Sequence, residues 1–383
     1  MREGWVNRRF DEVFDLQMGK TPDRKNYDYF GGDNVWVSIR DLGAKEIEDS
    51  NEHITDIAVE ETKINKVSAG TVIMSFKLTV GKCGIAMKDL YTNEAIMAFN
   101  IKEGYDIISS FLYYYLQGYQ WEGANKAVMG MTLNKATISK HTISIPPLST
   151  QHSIVSELDE INNLLTLKRK ELETYDKLAQ SLFYEMFGDP VENEKGWEVK
   201  KLGDLCVSKL KYGSGASAIE YNGSIRYVRI TDINEDGTLN DDIKSPSLID
   251  EDYILSDGDI VFARSGATVG KTYLHRGGDI KCLYAGYLIK ASVNNAIVLP
   301  EYVFRYTQSK QYKDWVDLNA RAVAQPNINA KQYGDLLIIA PPLPLQQLFA
   351  QRIESIEQQK AQVKAAIEKL ETLLAARMQY WFE

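Results

Sequence analysis

The chain has 383 residues, 44% of them hydrophobic and 25% charged, with a formal net charge of −9. That length is too great for one core and suits two or three domains, and the mixed charge is that of a globular chain. No apolar run reaches the ~18 residues that span a bilayer, and the opening "MREGWVNRRFDEVF" has no apolar signal-peptide core.

Cys83, Cys206 and Cys282 are scattered without a CxxC pair, which argues against a disulfide framework and for a reducing, cytoplasmic location. His53, His141, His152 and His275 show no ligand spacing, so no metal site is expected. Acidic residues concentrate at 41–61 and 232–259. They weaken a DNA-binding reading, which needs a basic face against phosphates, without excluding a local basic patch.

In chain order, the first stretch of about 145 residues carries short β-rich runs ("NVWVSI", "GTVIMSF") broken by Gly, Asn and Asp, then a helix around 109–118. This is an α+β pattern. "IPPL" at 145–148 stops the last strand, and Ser149 or Thr150 is placed to cap a helix over 151–187. Its apolar positions step by fours and threes: Ile154, Leu158, Ile161, Leu165, Leu172, Tyr175, Ala179, Leu182 and Met186, with Lys168 interrupting. Gly188-Asp189-Pro190 and "VENEKG" then make a short polar linker. A second β-rich part ("IRYVRI", "DIVFARS") has its own helix around 300–309. "APPL" at 340–343 opens a second long helix, with a seam of Phe349, Ile353, Ile356, Val363, Ile367, Leu370, Leu374 and Trp381, interrupted by Lys360 and Arg377.

The two halves match block by block. "GWVNRRFDEV" at 4–13 answers "GWEVKKLGDL" at 196–205, and "AGTVIMSFKLTVGK" at 69–82 answers "DGDIVFARSGATVGK" at 257–271. Adding 195 maps one helical seam onto the other. Blocks recurring in the same order mark a tandem duplication, and two long units are too few and too large for a solenoid. A seam of this spacing is a coiled-coil signature. The first helix would be about 55 Å long, and the linker reaches at most about 30 Å, so the second helix pairs with the first only by running back. The expected architecture is a dumbbell: two like α+β units and an antiparallel helix pair, related by an approximate two-fold axis.

Chemistry is sparse. "SGATVGKT" at 265–272 approximates a P-loop but has Ser265 where the first glycine belongs, and "YLHRGG" follows it where a helix should begin. A glycine-hinged turn bearing Lys271, and Lys82 in the first half, is the simpler account. "IPPL" and "APPL" lack the polar first and aromatic fourth residues of the [DNS]PP[YFW] motif of amino-methyltransferases. No self-sufficient active site emerges.

What remains is a binding surface. Candidate DNA-contacting residues are Lys20, Thr21, Arg24 and Lys25 in "GKTPDRKNY", and Lys209, Lys211 and Tyr212 in "KLKYGSGAS". Others flank the strands: Ser38, Arg40, Arg229, Thr231, Lys77, Lys82, Arg264, Ser265 and Lys271. A third group is Asn134 in the first half, with Arg321, Gln325 and Asn327 in the second. Such side chains read base edges or hold phosphates. An assembly adaptor with protein-binding end domains, which the acidic balance favours, and a nucleotide enzyme using the near-P-loop are the competing readings.

The duplicated "GW" opening, the "GKTP" loop, "GDIVFARSGATVGK" and "PPL…Q" leading into a long helix resemble the specificity subunit of type I restriction-modification systems, across essentially the whole chain. The resemblance implies two target-recognition domains, at 1–149 and 191–342, each reading half of a bipartite sequence in double-stranded DNA. It implies that the helices, at 150–190 and 343–383 with their linker, set the unread spacer and dock two methyltransferase subunits. Those subunits would carry S-adenosylmethionine and methylate adenine, restriction subunits would bring ATP and Mg, and this chain would hold no cofactor. "SKLKYGSGAS" departs from the "GKTP" pattern, so the two halves should read different sequences.

Overall fold

A computed structural model describes residues 2–121, 125–127, 130–320 and 326–383. The chain divides into two compact units, one of Met1–Lys168 with Ala366–Glu383, the other of Arg169–Ala365.

The first unit is built on a five-stranded sheet in the order Phe14–Met18, Ile96–Ile101, Val72–Ser75, Cys83–Ala86 and Glu46–Ile47. Its inner strands are buried on both faces. The two-residue period sends Val72, Met74, Met97 and Phe99 to one core with Phe111 and Tyr115 of the helix Ser109–Gly118. It sends Ile73, Ile96 and Ala98 to another with Val35, Val37 and Leu42. The second unit repeats the order with four strands: Lys211–Tyr212, Leu288–Ala291, Ile260–Ala263 and Thr272–Leu274. Here Ile260 and Phe262 face one core and Val261 and Ala263 the other. The expected helices around 109–118 and 300–309 are present as Ser109–Gly118 and Pro300–Tyr306. In each unit the strand after the "GW" opening pairs with the strand before the double proline: Val6 with Ile145, and Glu198 with Ala340.

The long helices run Leu148–Phe187 and Leu343–Phe382. The first begins ahead of Ser149 and Thr150, so neither caps it. Instead the Pro147 carbonyl accepts from the Thr150 and Gln151 amides, at 2.9 and 3.0 Å. Gly188, at φ 78°, closes the helix in the left-handed conformation glycine tolerates.

One side chain fixes each helix start. Gln151 is fully buried. Its Oε1 accepts from the Ile108 amide at 2.9 Å, and its Nε2 donates to the carbonyls of Asp106 (2.9 Å) and Pro146 (3.0 Å). Gln346, also fully buried, repeats this with the Leu299 amide (2.8 Å) and the carbonyls of Ile297 (3.3 Å) and Pro341 (2.7 Å).

The helical seam is wider than its three-four stepping suggested. Ile154 and Leu158 join the first unit's core, while Phe349, Ile353 and Ile356 join the second's, together with Ala179, Leu182 and Met186. Ile161, Leu165 and Val363 are buried, whereas Leu172, Tyr175, Ile367, Leu370 and Leu374 are half-buried. Phe183 and Phe187, outside the expected seam, are buried with them because this helix packs on a domain as well as a helix. The polar interruptions are paired. Lys360 meets Asp176 at 2.7 Å in the second unit, and Arg377 meets Glu157 in the first, its Nη2 donating to Oε2 at 2.9 Å. In the second unit Asp176 faces Lys360 and Phe187 packs on Phe349, so partner numbers fall as the chain advances and the helices are antiparallel.

Each unit also receives an aromatic helix end. In the first, Phe382 lies against Phe111 and Tyr115, with ring centroids 6.0 and 5.6 Å apart. In the second, Phe187 lies 4.8 Å from Tyr302. These are the same positions of the repeat used twice.

Gln346→Ala strands a buried amide and two carbonyls and should lower unfolding stability by about 2–3 kcal/mol. Its exposed neighbour Gln347 should tolerate alanine within about 0.5 kcal/mol. Urea unfolding curves check this, and equal midpoints for the two variants would contradict it.

Candidate nucleic-acid interface

The loop after Phe14–Met18 turns at Gly19, where a Cβ would stand 2.2 Å from the Thr92 carbonyl oxygen and 2.3 Å from that of Asn93. Only glycine fits such an approach. The turn is pinned by the Gly19 amide to the Ile96 carbonyl (3.2 Å) and the Lys20 amide to that of Thr92 (2.8 Å). Buried Trp36 then donates its indole N–H to the Lys20 carbonyl at 3.1 Å. The second unit builds the same anchor from other residues. A Cβ on Gly213 would lie 2.3 Å from the Ala285 oxygen. Amides of Gly213 and Ser214 bond the carbonyls of Leu288 (3.1 Å) and Tyr284 (2.9 Å), and the Tyr227 hydroxyl donates to the Ser214 carbonyl at 2.9 Å. The "GKTP" and "GSGA" loops differ in sequence but leave from one kind of platform.

Around the first anchor, Lys20 Nζ donates to the Thr62 carbonyl at 2.5 Å and the Thr21 hydroxyl to Glu94. Arg24 lies over the rings of Phe30 and Trp36, at 4.9 and 5.0 Å, and donates to Glu52 at 2.5 and 2.9 Å. Those bonds hold Glu52 below the ordinary carboxylate range. Lys25, Arg40 and Lys82 are exposed, and Lys77 is half-buried with its ammonium 5.4 Å from the Phe76 ring. Asn134 caps the short helix Lys135–Ile138, accepting from the Thr137 amide at 2.8 Å.

Ser38 and Arg229 occupy one repeat position and do one structural job. Each closes a one-turn helix with the acid three residues on: the Ser38 hydroxyl donates to Asp41 at 2.8 Å, and Arg229 Nη2 to buried Asp232 at 2.6 Å. Arg229 also pairs with Asp242 at 2.9 Å. Its charge is spent within the unit, so it is a holding residue before it is a reading one. Thr231 is exposed, its hydroxyl 3.3 Å from Asp232.

Lys209 and Lys211 are exposed beside the second anchor. Four other candidates converge there. The Arg264 guanidinium lies 4.8 Å over the Tyr212 ring, its Nε donates to Asn327 Oδ1 at 3.3 Å, and Ser265 bridges Asn327 through the backbone. Tyr287, whose carbonyl accepts the Arg264 amide at 3.0 Å, is 62% exposed and was not among the candidates read from sequence. Arg321 and Gln325 lie outside the described residues.

The near-P-loop runs into the strand Thr272–Leu274, not a helix, and Lys271 pairs with Glu235 at 2.9 Å. Burial pushes the thiols of Cys83 and Cys282 up, and that of Cys206 up to about 12, which makes them poor nucleophiles. Among the described residues no cluster of His, Cys, Asp and Glu could hold a metal ion, and no helix is long and apolar enough to cross a membrane. Trp36 and Tyr227 have no role in the sequence reading, and Gln151 and Gln346 enter it only as the final residue of "PPL…Q"; the one signal of their structural part is recurrence at matched repeat positions.

The family described as type I restriction modification DNA specificity domain matches residues 2–174 and again 194–372. The type I restriction enzyme MjaIX specificity subunit of Methanocaldococcus jannaschii is 24% identical over 380 residues, covering 92% of this chain and 86% of that protein. The MjaVIII specificity subunit of the same organism is 23% identical over 269 residues, 63% of each chain. Among solved structures, the crystal structure of a type I restriction-modification S subunit from M. genitalium superposes with a TM-score of 0.57 at 15% identity, covering 99% of this chain and 96% of that one. A chain from a study of complex assembly and conformational transition in a type I system gives 0.63 at 17% identity, covering 100% and 98%.

Gly19→Ala and Gly213→Ala each drive a methyl into carbonyl oxygens and should cost about 1–3 kcal/mol. Gly215, with nothing within 4 Å of its would-be Cβ, should accept alanine with under about 1 kcal/mol of loss. Urea midpoints measure all three, and a Gly213→Ala variant as stable as Gly215→Ala would contradict the anchor.

Proposed function

This chain belongs to the type I restriction-modification DNA specificity family, whose pattern it matches twice, and on that premise we propose that residues 1–149 and 191–342 are target-recognition domains reading one half-site each. The chain is a specificity subunit: it selects the DNA sequence on which its partners act. The helices with their linker, 150–190 and 343–383, dock two methyltransferase subunits. Those subunits supply S-adenosylmethionine and adenine methylation, and restriction subunits with ATP and Mg join where the system cleaves.

The observation that carries this reading is the anchor built twice beneath unlike loops. Gly19 and Gly213 make the same turn, and Trp36 and Tyr227 hold it from the same place. A fixed platform under variable loops is how one scaffold presents two specificities. The residues assigned to DNA contact are those named from the sequence. Ser38, Arg229 and Lys271 contribute by holding loops, while Lys25, Arg40, Lys82, Lys209 and Lys211 offer exposed groups to phosphate or base. The net charge of −9 is compatible with this, because partner subunits share the grip on the backbone.

Exchanging residues 1–149 for those of another family member, in the complex with its methyltransferase, should change one half of the methylated sequence and leave the other intact. Mapping methylated adenines across a genome reads the result. If both halves change together, the assignment of one domain to one half-site is wrong.

A further inference from the structure

We propose that Arg264 is the guanine-reading residue of the second domain, held for that task by Tyr212 and Asn327. The inference rests on the DNA-reading assignment above. Arg264 follows the fully buried strand Ile260–Ala263, so the sheet fixes where its side chain begins. Its amide bonds the Tyr287 carbonyl at 3.0 Å, and its own carbonyl accepts from the Ile328 amide at 2.8 Å. The guanidinium lies 4.8 Å over the Tyr212 ring and gives its Nε–H to Asn327 Oδ1. The platform is held in turn, because the Tyr212 hydroxyl accepts from the Ala330 amide at 3.1 Å.

Its charge is unspent. Arg229, Arg276 and Arg305 of this unit each bond a carboxylate. Among the described residues Arg264 bonds none, and its two terminal nitrogens find no acceptor. An arginine that is oriented, partly dehydrated and not neutralised is prepared for an outside acceptor at little entropic cost. Guanine presents N7 and O6 together in the major groove, matching the guanidinium fork, whereas adenine places a donor beside N7.

Among the described residues the first domain lacks the device. The Leu133 amide bonds the Phe76 carbonyl at 2.8 Å as Ile328 bonds that of Arg264, so buried Phe76 stands in the Arg264 position. Met18 precedes Gly19 as Tyr212 precedes Gly213. The guanine contact therefore belongs to the second half-site alone.

The test maps the methylated sequence produced by the complex of this chain with its methyltransferase subunits, for the wild type, Arg264→Ala and Arg264→Gln. The wild type should require a G·C pair at one position of the half-site assigned to residues 191–342. Arg264→Ala should relax that position about tenfold or more and leave the first half-site unchanged, and Arg264→Gln should move its preference toward adenine. A second half-site without a required G·C pair, or an Arg264→Ala variant as strict as the wild type at every position, overturns the proposal. Uniform weakening across all sequences also overturns it, marking a phosphate contact. If Arg264→Ala yields no methylation, Arg264→Gln decides: a shifted preference supports the assignment and a wild-type preference defeats it. Sequence-independent methylation by the wild-type complex would instead sink the DNA-reading assignment itself.

Discussion

The buried amides of Gln151 and Gln346 fix the point and direction in which each long helix leaves its domain. A glutamine in a core is costly unless donors and acceptor are all engaged. Here they are, and the partners are backbone groups of the segment ahead of the domain helix and of the double proline. The helix cannot rotate without breaking three bonds at once. From that constraint follows the register that brings Lys360 to Asp176 and Arg377 to Glu157, and that sets Phe187 against Tyr302 and Phe382 against Phe111. Residues 366–383 belong to the first unit and 169–187 to the second, so each unit is completed by the far end of the helix that begins in the other half of the sequence.

Electrostatics divide the surface in the same way. Many of the acids that make the chain negative are partners of basic residues: Glu52 of Arg24, Asp232 and Asp242 of Arg229, Glu235 of Lys271. The exposed pair Arg24–Glu52 contributes little stability by itself, but together with the pairs of Arg229, of which Asp232 is buried, it sets loop conformation near the anchors. Among the described residues Arg264 meets no carboxylate, which leaves its charge free for the contact proposed above.

The duplication, the strands and both long helices were legible in the sequence because they are written in order and periodicity. The start of the first long helix differs from the expected one: Ser149 and Thr150 carry the residue types of a cap, yet the Pro147 carbonyl already begins the helix, whereas the second begins at Leu343 as expected. Phe183 and Phe187 were passed over because a single stripe describes packing on one neighbour, and this helix has two. Arg229 looked like a reading residue because sequence spacing alone does not show that its guanidinium turns back onto Asp232, and only the fold brings a second acid, Asp242, beside it. The loop anchors were invisible for a related reason. A tryptophan and a tyrosine at one repeat position look like exchangeable core residues until their N–H and O–H are seen to meet equivalent carbonyls, those of Lys20 and Ser214.

Hydrogen exchange on the chain carrying Trp381→Ala with Phe382→Ala tests most directly whether the end of the second helix completes the first unit. The account predicts faster exchange along residues 109–118, where Phe111 and Tyr115 lose the Phe382 ring, and along 151–158, whose Ile154 and Leu158 share that core, with residues 300–306 of the second unit unchanged. Undiminished protection of 109–118 would contradict it.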